Sequence, residues 1–480
     1  DVSGNNAGGA VGYMNSGTII SFNHKKESSD PKAEEVESYV EGGFAAGGIV
    51  GYLKGNSISG GKAATIVTAN IYAGGVVGFM EGGNVSAGGG TKEVTATSGY
   101  TDEGRKGSAG GAIGRMEGGR IDGCTAAEEV NGYTYAGGLV GELYSAQVMG
   151  GSGSKNIVAQ EDAAGGLIGL LYSGTVGGGE GGNASCWNII GGVVGKMLSG
   201  TVSSGKGGLK GSAQYAGGVV GWMEGGMVNG GETIVGQKPQ KVTDQEGKDI
   251  TPDPEKEIRA SKAAGGVIGW MIGGSLTNGG NAEIKVAATE RYSPRIQNQF
   301  DKDMESGFAG GVIGYYGVDA NYSGGAVARV VSGSYAGGII GYIDINKTLT
   351  NVSGSLDRVY GSIAAGGVAG YLAVGSAITS NGSISAESVK SEFNTGIPED
   401  DFWVEGVAGG VVGILQESAQ VNSIIASGVK EVYAFAAGGV AGVSGKPGSV
   451  HAGMGEISTI INSEGAENVT GDRVAGGIVG

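Results

Sequence analysis

A short glycine phrase returns along the whole of this chain, and it constrains the fold more than any other feature. "YAGGVVGFMEGGNV" begins at Tyr72, "YAGGLVGELYSAQV" at Tyr135 and "YAGGVVGWMEGGMV" at Tyr215. The shared core is Ala-Gly-Gly-h-h-Gly, with h aliphatic. Its fifteen copies start at Ala7, Ala46, Ala73, Ala109, Ala136, Ala164, Ile190, Ala216, Ala264, Ala309, Ala336, Ala365, Ala408, Ala437 and Ala475. With the leading residue as position 0, glycines stand at positions 1, 2 and 5 in every copy. Eight of the fourteen spacings fall at 26–29 residues, so the unit is close to 27 and the longer ones carry insertions. Self-similarity at such a period marks repeats that stack, each burying its apolar face on its neighbours.

Within a unit the phrase runs on as Gly-x-[Val/Ile] near position 10, then into a second run such as "ATIVTA" (Ala64–Ala69) or "EIKVAA" (Glu283–Ala288). Short β-branched runs bounded by glycine are strand signals, and no apolar stripe of helical period is present. Three strands of about five residues with three turns fill about 27 residues. One unit therefore reads as one coil of an all-β parallel β-solenoid, of about fifteen coils, with right-handed winding as the default for parallel crossovers. At about 4.8 Å per coil the stack would extend roughly 70 Å. Glycine serves corners with positive φ and places where stacked coils approach too closely for a Cβ. A collagen-like chain is excluded, because the glycines do not fall at every third residue.

Position 7 is Met14, Leu53, Met80, Met116, Leu143, Leu171, Met197, Met223 and Met271 in the first nine copies, and stays apolar until Ser444. It reads as core, with methionine as adaptable filler. Position 6 holds Tyr13, Tyr52, Phe79, Trp222, Trp270, Tyr315, Tyr342 and Tyr371, but also Arg115, Glu142 and Lys196. Those charges point it outward, and two-residue alternation would then turn position 4 outward too. Yet position 4 is Val, Ile or Ala in every copy. Either the glycine at position 5 breaks the alternation, or this face carries an apolar and aromatic stripe that something covers.

Insertions are expected near 24–43, 97–107, 236–262, 288–306, 388–405 and 444–465, where the last strand of a unit turns toward the next phrase. All seven prolines (Pro31, Pro239, Pro252, Pro254, Pro294, Pro398 and Pro447) lie in them, as they must if the coils are hydrogen-bonded ladders. In repeat proteins such loops gather on one face, often the binding face.

An unbroken repeat over 480 residues reads as a single elongated domain. The formal charge of −16 opposes nucleic-acid binding and suits a self-repelling surface. No apolar run reaches the length of a membrane span. Cys124 and Cys186 fall two coils apart and at different corners, beyond disulfide reach, and read as free buried thiols. The chain opens mid-unit at "DVSG" and stops within a phrase at "AGGIVG", as an excerpt of a longer protein would.

Catalytic chemistry finds little to work with. The two histidines, His24 and His451, lie some fourteen units apart, which leaves no His-based triad or metal cluster within one chain. The acids concentrate in insertions rather than converging on a groove. Glu399, Asp400, Asp401 and Glu405 could gather around calcium, but EF-hand spacing is missing, and a solvated acidic loop is the simpler expectation. The glycine phrase is no phosphate loop, since no Lys-Ser/Thr follows it. The reading is of a non-enzyme without cofactor or metal. Its candidate partner contacts are Phe402 and Trp403 in an insertion and Trp222, Trp270, Tyr52 and Phe79 on the position-6 stripe.

The phrases "GGLVGELYSAQV" (Gly137–Val148) and "GGLIGLLYSGTV" (Gly165–Val176) resemble the bacterial GLUG-type repeats, and the resemblance extends over essentially the whole chain. It implies a large secreted or wall-attached surface protein, including adhesin-like stalks and non-catalytic regions of some immunoglobulin A-cleaving metallopeptidases. The zinc motif of such peptidases, His-Glu-x-x-His, is absent. The expected function is therefore an extracellular structural stalk or filament segment that self-associates end to end or laterally. The alternative is a recognition module whose insertion loops bind surface glycans or host proteins. A glycan-active β-helix enzyme ranks below both.

Overall fold

A computed structural model describes residues 2–23, 38–63, 66–86, 91–98, 107–230, 232–235, 257–277, 285–288, 307–391, 406–444, 459–461 and 463–479. Every regular element among them is a β-strand, and the strands pair in parallel. The fold is a parallel β-solenoid. The contacts within the chain group into two compact units, Asp1–Ala213 with Gly218–Ile234 and Gln214–Gly217 with Val235–Gly480. The division falls by the insertion in the longest spacing between copies, a feature that counting repeats does not weigh.

In the first unit one side of the coil is a column of short strands, Ile66–Ala69, Glu93–Ala96, Glu129–Gly132 and Asn156–Ala159. They pair in register as Val67↔Val94, Val94↔Val130 and Val130↔Ile157. These four side chains are all 0% exposed. Alternation puts every second residue of such a strand inside, and stacking β-branched aliphatic side chains removes each from water at about 1.5–3 kcal/mol apiece. Position 7 forms a second column, fully buried from Leu53 to Met223 in this unit and likewise at Met271, Ile343, Leu372 and Leu415 in the other.

The glycine phrase is a corner between two strands. Tyr72–Gly74 ends and Val77–Ser86 begins, with Gly75 and Val76 forming the bend. Coil bonds to coil through the bend itself. The amides of Val76 and Val77 both donate to the carbonyl of Ala112 in the next coil, at 2.8 and 3.0 Å. The same forked bond recurs onto Leu139, Leu167, Val193 and Val219, and in the second unit onto Val312, Ile339, Val368, Val411 and Val440. At such a corner the amides of the turn itself find acceptors in the next coil, as Gly75 does on Gly110 O at 3.3 Å, which is what a buried corner requires.

The three glycines of the phrase are there for close approach. A Cβ on Gly141 would lie 2.5 Å from the Gly114 carbonyl oxygen and 2.9 Å from that of Ala109 in the preceding coil. One on Gly137 would lie 2.7 Å from the amide nitrogen of Gly169 and closer still to Val140 O. Positive φ belongs to two other corners. Position 10 has it at Gly83, Gly119, Gly200 and Gly226, and at Asn346 and Ser418 where glycine is replaced. Position 15 has it at Gly151, Gly179 and Gly205, and at Asn351 and Ser423.

Two sequence expectations need correction. Positions 4 and 7 are both buried, as at Val140 and Leu143, so the alternation breaks at the glycine between them. Position 6 is then no solvated face: Phe79 is 6% exposed, Trp270 8% and even Glu142 only 3%. The insertions are also shorter than read. Tyr39–Gly47, Glu257–Gly265, Ser383–Ser391 and Thr459–Ile461 are strands that reach into the expected loops. Ile258, Ala260 and Val389 are buried there because those residues are the last side of a coil. All seven prolines fall outside the described residues. Cys124 and Cys186 are buried and free, as expected.

Candidate functional site: the aromatic ladder of the glycine corner

Because the corner bends through glycine, the outer faces of its two strands come together. Side chains just before the phrase and at position 6 therefore fill one furrow. In the first unit Tyr13, Tyr52 and Phe79 stack at successive centroid distances of 4.9 and 4.9 Å. Phe44 and Tyr72 cover them, at 5.6 and 5.4 Å from the Phe79 ring. The cover over the stripe is the chain's own. Of the three stacked rings Tyr13 stands open, 50% exposed. The Tyr52 hydroxyl donates to the Glu81 carboxylate, and burial together with that bond holds its pKa well above the ordinary tyrosine value.

The next rungs are charged. Arg115 lies 4.2 Å from the Tyr144 ring centre and donates to the Tyr72 hydroxyl at 2.9 Å, Glu142 at 3.2 Å and Glu117 at 2.8 Å. Glu142 also accepts from the Ser108 hydroxyl. Burial, the largest influence, would lower the Arg115 pKa, but Glu142 together with Tyr72, Tyr144 and Glu117 outweighs it and the guanidinium stays charged. Each buried charge is matched within the furrow, which is how position 6 accepts charges without facing water. Further along, Lys196 pairs with Asp162 at 3.5 Å, and the half-buried Trp222 donates from Nε1 to Glu224 at 3.2 Å.

The second unit carries the longer stack. Trp270, Tyr315, Tyr342 and Tyr371 follow one another at 3.8, 5.5 and 4.7 Å, with planes within 8, 11 and 6° of parallel. Phe308 backs them, 5.9 Å from Tyr315 and 4.9 Å from Tyr342. The Tyr315 hydroxyl donates to Asp344 at 2.5 Å. Burial pushes the Tyr371 hydroxyl up to about 12.

Of the expected contact residues, Tyr52 and Phe79 come together in one stack, Trp222 lies apart from them in the same unit, and Trp270 belongs to the other. Phe402 and Trp403 lie outside the described residues, as do His24, His451, Glu399, Asp400, Asp401 and Glu405. Little surface remains on Phe79 or Trp270 for a partner. Among the described residues no three His, Cys, Asp or Glu side chains are placed to hold a metal ion.

Sequence reasoning passed over two open grooves. One, of about 550 Å³, runs over Gly151, Gly179 and Gly205 in the first unit, beside Glu180 and Lys206. The other, of about 470 Å³, is lined by Arg358, Val359, Tyr360, Glu387, Ser388, Lys390 and Glu431 in the second. The signal for the latter was present in "DRVYG", "ESVKS" and "KEVYA", whose alternation turns the polar residues outward, but only the register places them side by side. No family model matches the chain, and neither does any curated protein or solved structure. No helix among the described residues is long and apolar enough to cross a membrane.

Proposed function

We propose that this chain is a non-catalytic structural segment of a bacterial surface protein, a solenoid that bears load and holds other parts of the protein away from the cell. The observation that supports this reading is the forked hydrogen bond at the glycine corner, repeated coil after coil with a buried aliphatic column behind it. A coil held at its corners as well as along its sides resists shear, because no side can slide without breaking the ladder at a bend. The GLUG-type resemblance supplies the extracellular setting. Lateral packing through the position-6 stripe is not part of the proposal, since the chain covers that stripe itself.

Two measurements test it. In the bacterium that makes the protein, protease added to intact cells should remove it, and pulling single molecules should give high, stepwise rupture forces. Retention in the cytosolic fraction, or smooth extension at low force, would overturn the reading.

A further inference from the structure

On one face of the second unit the outward residues form two parallel columns. Arg358 pairs with Ser388, and Tyr360 with Lys390, which pairs in turn with Tyr433. Glu431 precedes the paired Val432 and so continues the Arg358–Ser388 column. Ser388 is small and 8% exposed, while its column neighbours are long charged side chains. The groove of about 470 Å³ is the space left above that serine.

Its charges are unequally used. Lys390 is paired with Glu431 at 2.9 Å, and Glu387 with Lys430 at 3.7 Å. Arg358, exposed at the groove wall, has no ion pair or hydrogen bond among the described residues. A guanidinium offers a planar fork that matches a carboxylate. Beside it stand a serine hydroxyl on the floor and the 39% exposed ring of Tyr360, an amphipathic wall suited to a polar ring with one apolar face.

We infer that this groove binds an acidic polysaccharide through a uronate sugar, its carboxylate on Arg358 and its ring against Tyr360. The spacing favours a chain over a single sugar. The groove runs over three coils, from Arg358 by Ser388 to Glu431, about 10 Å, and a polymer in which a uronate alternates with a neutral sugar repeats over much the same distance. An acidic peptide fits less well, because the strand Thr348–Gly366 is paired on both sides and leaves no edge for an added strand. The net charge of −16 also removes the trivial explanation, since it repels polyanions in general. This site goes beyond the load-bearing role and stands or falls separately from it.

The test is calorimetric titration of the whole protein with a hyaluronan decasaccharide, and with the same oligosaccharide after reduction of its carboxyl groups. Arg358→Gln should weaken binding of the native sugar about tenfold, the loss of a charge-assisted bond. Tyr360→Ala should do the same, Arg358→Lys should fall between, and Lys155→Ala, on an exposed cation of the first unit, should change nothing. The reduced sugar should bind the wild type no better than the native sugar binds Arg358→Gln. Unchanged melting of each variant guards against unfolding. Absence of binding by the intact protein overturns the inference, as does equal binding by Arg358→Gln, equal binding of the reduced sugar, or a loss in Lys155→Ala as large as that in Arg358→Gln.

Discussion

Glycine at position 1 and glycine in an open groove look alike in a sequence but answer to different constraints. At Gly137 an added Cβ meets backbone on two coils, and backbone cannot move aside without breaking the ladder. Gly137→Ala should therefore cost about 3 kcal/mol or prevent folding of the first unit, the upper end for overpacking. At Gly178 the nearest atom to an added Cβ is Gly150 Cα at 3.8 Å. Gly178→Ala should stay within about 0.5 kcal/mol of wild type. Denaturant unfolding of the two variants side by side checks both. Equal effects would mean that the corner can open to accept a methyl group.

At the scale of the element, the furrow ladder ties the two strands of each corner together from outside. Trp270→Ala removes a ring stacked 3.8 Å from Tyr315 and should destabilise by about 3–5 kcal/mol. The near-ultraviolet dichroism of the coupled rings should be lost with it. Tyr13→Ala, at the half-exposed rung, should cost less than about 1 kcal/mol. The tyrosines also set a limit in alkali. Burial raises the Tyr371 pKa from 10.0 to about 12, so below pH 10 the hydroxyl is neutral whether the chain is folded or not. Between those values the unfolded chain ionises and the folded one does not, so stability falls as pH rises. The loss from this one group is about 2 kcal/mol by pH 12. Tyr342 and Tyr135 are raised by burial in the same direction and add to it. Equilibrium unfolding followed from pH 9 to 12 should show the decline, and Tyr371→Phe should make it shallower.

For the molecule as a whole, the sequence sets the insertions apart from the coils, and the boundary between the two can be tested by length. Replacing residues 237–255 with a short Gly-Asn turn should leave the cooperative melting transition nearly unchanged, because loop closure varies slowly with length. Carrying the deletion through Ser261 removes Ile258 and Ala260, both 0% exposed, and takes the strand that pairs with Lys285–Ala288. That longer deletion should lower the melting temperature of the second unit by several degrees or more, on the order of 2–5 kcal/mol per large buried side chain lost. Equal behaviour of the two deletions, followed by differential scanning calorimetry, would put the strand outside the cooperative core.

The sequence by itself determined that the chain winds as a parallel solenoid, and that position 7 belongs to its core. Fixed period, invariant glycines at positions 1, 2 and 5, and apolar residues at position 7 are local patterns, and stacking makes each coil repeat the geometry of the last. Tertiary structure alone decided what position 6 does. Arg115 and Glu142 looked like marks of a solvated face because charge usually means water. Glu142 is buried and Arg115 half-buried because each meets the other across coils, 27 residues apart in sequence. The groove over Ser388 was hidden for the same reason: Arg358, Ser388 and Glu431 become neighbours only through the register between coils, and irregular spacing conceals that register from a linear reading. What lies along one coil was legible, and what lies between coils was settled by packing.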